Sequence, residues 1–160
     1  MFSFLKKLNC VLLAILMFLP TIRLSSSEYT DVINKFFLNK KLDTIEGIWT
    51  KTIANEGPAG CVTMFYKDEN DFYYQVHIDS CFVMGKVTGK QKKITENKYE
   101  GENAVYFFNG DVNWGASSIG ISEDLNSFAI THNSFGNYFT EKWKRIWPED
   151  IVAHNKKINN

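Results

Sequence analysis

Residues 60–79 read GCVTMFYKDENDFYYQVHID. Two short runs rich in aromatic and β-branched residues, 60–67 and 72–79, flank the polar stretch Asp68-Glu69-Asn70-Asp71. Runs of this length and composition, bounded by turn residues, predict a β-hairpin. If Glu69-Asn70 is a two-residue loop, Cys61 falls opposite Ile78 and Cys81 falls on the other face, because side chains alternate. Phe65, Phe72, Tyr74 and Val76 then belong to the face expected to turn inward. Tyr73, Gln75, His77 and Asp79 share the face expected to meet solvent.

The same punctuation recurs outward from the hairpin, at Asn55-Glu56-Gly57-Pro58, Asn109-Gly110-Asp111, Glu123-Asp124-Leu125-Asn126 and Asn133-Ser134-Phe135-Gly136-Asn137. It delimits strands expected near 46–54, 60–67, 72–79, 82–89, 91–96, 103–108, 115–121, 127–132 and 137–146. Strands at a spacing of about 8–12 residues, with no helical pattern between them, point to an all-β fold, an antiparallel up-and-down β-barrel or meander. Closing the barrel removes both sheet edges. Ahead of the strands, Tyr29, Val32, Ile33, Phe36 and Phe37 form one helical stripe, so residues 28–41 are expected as a short amphipathic helix docked on the domain. The β-barrel domain is expected over 42–148, and 149–160 as a flexible polar tail.

The N-terminus carries Lys6 and Lys7, then the unbroken apolar run CVLLAILMFL from Cys10 to Leu19, then Pro20 and Ser25-Ser26-Ser27. That order of charge, apolar core and small residues reads as a secretory signal peptide over 1–27. The expected destination is outside the cytoplasm, periplasmic or secreted. The apolar run is half the length of about 20 residues that a spanning helix needs, so no stable transmembrane anchor is expected. The whole chain has 18 basic and 18 acidic residues. Removing the leader's Lys6, Lys7 and Arg23 leaves 15 against 18, a formal charge of −3, with Arg145 the one remaining arginine. No basic stretch is interleaved with aromatics, which argues against a nucleic-acid partner.

Cys61 and Cys81 remain after the leader. An oxidising destination makes a disulfide between them the expected state, provided an odd-length loop or a bulge shifts the hairpin register by one. The alternative is two separate small hydrophobic residues.

Gly47-Ile48-Trp49 opens the first strand just after the N-terminal helix, and Trp143-Lys144-Arg145-Ile146-Trp147 ends the last. This pairing resembles the calycin arrangement of lipocalins and fatty-acid-binding proteins. The resemblance implies a lipocalin-like barrel in which Arg145 covers Trp49 and Gly47 to close one end. The opening Leu42-Asp43-Thr44-Ile45-Glu46-Gly47-Ile48-Trp49 and the ending Arg145-Ile146-Trp147-Pro148 also resemble exported bacterial proteins, a likeness that implies no activity.

Chemistry-bearing residues are sparse. His77 and Asp79, two apart on one strand, could orient a general base, but their polar neighbours read as an outer surface. His132 lines the interior or ends a strand, and His154 sits in the tail. No nucleophile elbow surrounds Ser134, no group of His, Cys, Asp and Glu has metal spacing, and Gly115–Gly120 is a strand without the Lys-Ser/Thr of a phosphate loop. No catalytic residue, metal or cofactor is expected. The expected function is a non-catalytic barrel holding a small apolar ligand among Phe65, Tyr74, Val76, Ile121, Phe128 and Ile130. The alternative is an envelope-associated structural or protein-interaction module whose interior is filled.

Overall fold

The computed structural model describes residues 29–53 and 59–159. The leader expected at 1–27 lies outside them. Eight strands follow one another: β1 Gly47–Ile53, β2 Val62–Lys67, β3 Phe72–Asp79, β4 Val87–Thr95, β5 Lys98–Tyr106, β6 Val112–Ile121, β7 Ser127–Ser134 and β8 Asn137–Trp147. Each pairs antiparallel with the next, and β8 returns to β1, so the sheet closes as an up-and-down barrel. Helix α1, Thr30–Phe36, precedes the strands and α2, Ile151–Ile158, follows them.

The expected strands 82–89 and 91–96 are one strand, β4. Residues 80–86 are a loop instead, held where the Gly85 amide donates to the His77 carbonyl at 2.8 Å. The tail expected after Pro148 is helical rather than loose. Asp150 caps α2 by accepting from the Ala153 amide, and Ile151 is buried. The Asn155 side chain exchanges two 2.8 Å hydrogen bonds with the backbone of Leu42.

The hairpin that frames the fold has a different register from the one expected. Lys67 pairs with Tyr73, leaving five residues between them, not four. The Asp68 carboxylate organises this loop by accepting from the Asn70 and Phe72 amides. Phe65 therefore faces Gln75, not Tyr74. A shift of one residue exchanges the faces of a whole strand. Tyr73, Gln75 and His77 point into the barrel, while Tyr74 and Val76 point out. Val76 belongs to an outer core with Tyr29, Phe37, Ile48, Val62 and Met64, and Tyr74 stacks on Tyr66. Helix α1 covers this outer face, and so β3 is covered on both sides.

A second register shift, between Val62 and Thr63, lets β3 bulge. The bulge separates His77, which faces inward opposite Thr63, from Asp79, which accepts from the Tyr29 hydroxyl outside the barrel at 3.1 Å. Past the bulge, Cys61 and Cys81 come within 4.6 Å between Cα atoms and form a disulfide. An odd loop or a bulge was expected for the bridge, and the hairpin has both.

Candidate binding site in the open half of the barrel

Segment 42–46 crosses one end of the barrel and closes it. Gly47 opens β1 with φ +124°, and a Cβ there would lie 2.2 Å from the Trp147 carbonyl oxygen, so only glycine lets the chain enter this close to β8. Trp49 follows, fully buried, its indole donating to the Ile45 carbonyl at 2.9 Å. The Arg145 guanidinium lies 3.9 Å over the Trp49 ring and donates to the Glu46, Thr44 and Leu125 carbonyls. Burial lowers its pKa to about 10, so it remains charged at neutral pH. Below it, Asp43 accepts from the Tyr73 hydroxyl at 2.6 Å and from Lys93 at 2.8 Å. Burial would raise the Asp43 pKa, but these donors and the positive charges of Lys93 and Lys67 hold it below its ordinary value. Phe65, Ile121, Phe128 and Ile130 fill this half with Trp49, Tyr99 and Trp143.

The other half of the interior is polar. Along β4, β5 and β6 a glycine stands two residues before a polar side chain on the same face: Gly89 and Gln91, Gly101 and Asn103, Gly115 and Ser117. The registers set each glycine opposite a polar residue of the next strand. Gly89 faces Gln75 and Asn103, Gly101 faces Gln91 and Ser117, and Gly115 faces Asn103. The result is a checkerboard. A Cβ on Gly89 would lie 2.8 Å from Asn103 Oδ1 and 2.9 Å from Gln75 Oε1, and one on Gly101 would lie 2.9 Å from Gln91 Oε1. Gly89 makes room for the Gln75 and Asn103 amides, whereas a Cβ on Gly101 or Gly115 would first strike the backbone carbonyl of Lys90 or Asn133, so those two glycines let the strands approach closely.

These amides are joined. Asn103 Nδ2 donates to Gln75 Oε1, and Gln91 Nε2 donates to Asn103 Oδ1 at 2.9 Å and Ser117 Oγ at 2.8 Å. Gln91 Oε1 and Thr88 Oγ1 are buried and make no hydrogen bond. Across the interior, Lys51 pairs with Glu141 at 2.7 Å, both almost fully buried. The Trp143 indole donates to the other Glu141 oxygen. His77 Nδ1 lies 3.2 Å from the Val83 carbonyl oxygen. That oxygen can only accept, so Nδ1 carries the proton. Burial, helped by the nearby Lys51 charge, pushes the His77 pKa down to about 4, and the ring is neutral at pH 7. His132 lies against Phe139 and faces Ser117. A ring nitrogen of His77 and the sulfurs of Cys61 and Cys81 lie within 4.8 Å of one another. The disulfide ties up both sulfurs, leaving the imidazole as the one free donor of that group.

No family model, curated protein or solved structure matches this chain.

Of the six expected lining residues, Phe65, Ile121, Phe128 and Ile130 do face inward, but into the packed closed half. Tyr74 and Val76 do not reach the interior. The polar set of Thr63, Gln75, His77, Gln91, Asn103, Ser117, Lys51 and Glu141 was not singled out as a site. One sequence signal marks part of it: the repeat Gly89-x-Gln91, Gly101-x-Asn103, Gly115-x-Ser117 in three successive strands. Gly47, Trp49 and Arg145 come together as the calycin-like pairing implied.

Proposed function

We propose that this chain is an exported, non-catalytic binding barrel for a small ligand rich in hydrogen-bonding groups, taken in through the open end. The glycine–amide checkerboard carries the reading. A barrel that needed only to be filled would place apolar side chains where Gln75, Gln91 and Asn103 stand. Here the interior-facing positions carry hydrogen-bonded amides and hydroxyls instead. Buried acceptors without a donor are costly, and Gln91 Oε1 is such an acceptor. A ligand N–H or O–H satisfies it. The Lys51–Glu141 pair adds one charge of each sign, and buried ion pairs contribute little to stability for their desolvation cost, which fits retention for recognition. The interior titratable groups are paired or held by hydrogen bonds, which favours binding over acid–base chemistry. The leader-like N-terminus and the disulfide both suit an oxidising destination outside the cytoplasm. The closed end resembles a calycin's, and that likeness also favours a carrier.

The packed aromatic half supports the other reading, an interaction module with no ligand. Native mass spectrometry of the protein purified from its secreted or periplasmic fraction separates the two. The binding reading expects a mass starting near Glu28, a co-purifying small polar molecule, and loss of that molecule in Gln91→Leu. Polar metabolites that raise the melting temperature of the wild type, but not of Gln91→Leu, would support it further. No adduct together with no stabilising compound in such a screen would sink the ligand reading.

A further inference from the structure

Eleven large apolar side chains among the described residues are exposed, and eight of them gather at the open end. The tips are Phe82 and Met84 on loop 80–86, Phe107 and Phe108 on loop 107–111, and Phe135 between β7 and β8. Phe108 is 94% exposed and Phe135 69%. The tips form a connected rim: Phe82 packs edge-on against Phe108 at 4.6 Å, and Phe107 meets Phe135 at 5.4 Å. Behind them on the outer wall, where β6 and β8 begin, stand Trp114 and Tyr138, also exposed. Clustered apolar exposure of this kind marks an interaction surface.

We propose that this rim docks the open end of the barrel on a lipid bilayer. The order of side chains along the barrel axis matches the depth profile of a membrane surface. Wholly apolar Phe and Met stand outermost, and Trp and Tyr, with one apolar and one polar edge, stand one step back at headgroup level. The chain itself brings this end to lipid. Tyr29 bonds Asp79, the last residue of β3, so the N-terminal segment joins the fold at the open end. The apolar run 10–19 is separated from Tyr29 by nine residues, which reach about 30 Å at most when extended. A leader held in a bilayer would therefore tether the barrel by the end that carries the rim. The three loops carry one charge of each sign, Lys86 and Asp111, so docking is driven by apolar burial and needs no anionic lipid.

Vesicles of zwitterionic phosphatidylcholine test this on the chain from Glu28 onward, which contains every strand and both cores. The readouts are co-sedimentation and the blue shift of Trp fluorescence. Binding should survive high salt. Phe108→Ser and Phe135→Ser should each weaken partitioning by about tenfold, with near-ultraviolet circular dichroism unchanged. Ile94→Ser, which removes an exposed apolar residue at the closed end, should leave partitioning as it was. Gln91→Leu should also leave it as it was, so failure of the ligand reading and failure of docking are distinguishable. Absence of partitioning, or partitioning indifferent to the rim substitutions, overturns the proposal. So does a dimer that dissociates on Phe108→Ser without any vesicle binding, which would assign the rim to a second copy of the chain.

Discussion

Arg145 does three things at once: it stacks on Trp49, it holds segment 42–46 by two carbonyls, and it fixes the turn at Leu125 through a third. Removing it leaves buried acceptors without donors. Arg145→Ala should cost about 3 kcal/mol in urea unfolding. Arg145→Lys should recover only a minor part, since a single ammonium cannot stack flat and serve carbonyls on both sides. Unchanged stability in Arg145→Ala would contradict the closure role. Gly47→Ala should cost about 2 kcal/mol or more in the same assay, because φ +124° and a 2.2 Å contact to backbone forbid a Cβ. Both residues were legible in the sequence because each has a distinctive type at an end of the domain. Gln91 and Asn103 were not, since an amide looks the same in sequence whether it meets water or a buried partner.

At the scale of elements, one hairpin decided most of what was misread. Strand β3 alternates between an apolar face, Phe72, Tyr74 and Val76, and a more polar one, Tyr73, Gln75 and His77, and both are covered, one by the barrel interior and the other by α1. Its alternation therefore points the wrong way, because the apolar face packs under α1 outside the barrel. The phase comes from the five-residue spacing of Lys67 and Tyr73, and that spacing depends on how Asp68 caps the loop. The cysteines, by contrast, imply that if they pair, the register shifts by an odd loop or a bulge. Their bridge closes a sequence separation of 20 residues, so replacing both by Ser should lower stability by about 3 kcal/mol. A thermal melt compared with the wild type checks this, and reduction of the wild type should reproduce the loss. The C-terminal helix was missed for another reason. Its sequence is polar apart from Ile151, Val152 and Ile158, and its anchoring comes from Asn155 on the backbone of Leu42, more than a hundred residues away.

For the whole molecule, the two halves of the interior give different responses to pH. The closed end keeps Arg145 charged and Asp43 ionised at neutral pH. The open half holds His77 neutral, with its pKa depressed to about 4. The unfolded chain takes up a proton near the ordinary value of about 6.5, so it gains protons over the folded state as pH falls. Stability contributed by neutral His77 is thus fully present above pH 6.5 and is lost as pH falls towards 4. His77→Gln should flatten that part of the stability profile. An identical slope in the variant would place the titrating group elsewhere.

The sequence by itself determined the architecture, antiparallel strands in order with a helix before them, and its calycin-like ends implied the closure of one end. Local signals carry the strands and the helix, namely turn residues, strand composition and one helical stripe. Only the tertiary structure decided which face of β3 looks inward, that the aromatics fill the closed half rather than line a pocket, and that amides and glycines alternate across four strands, β3 to β6, to leave the open half polar. Those outcomes depend on register between strands and on what α1 covers. Alternation tells which face of a strand is apolar but not what covers it, and long-range packing alone decides whether that face meets the barrel interior or α1.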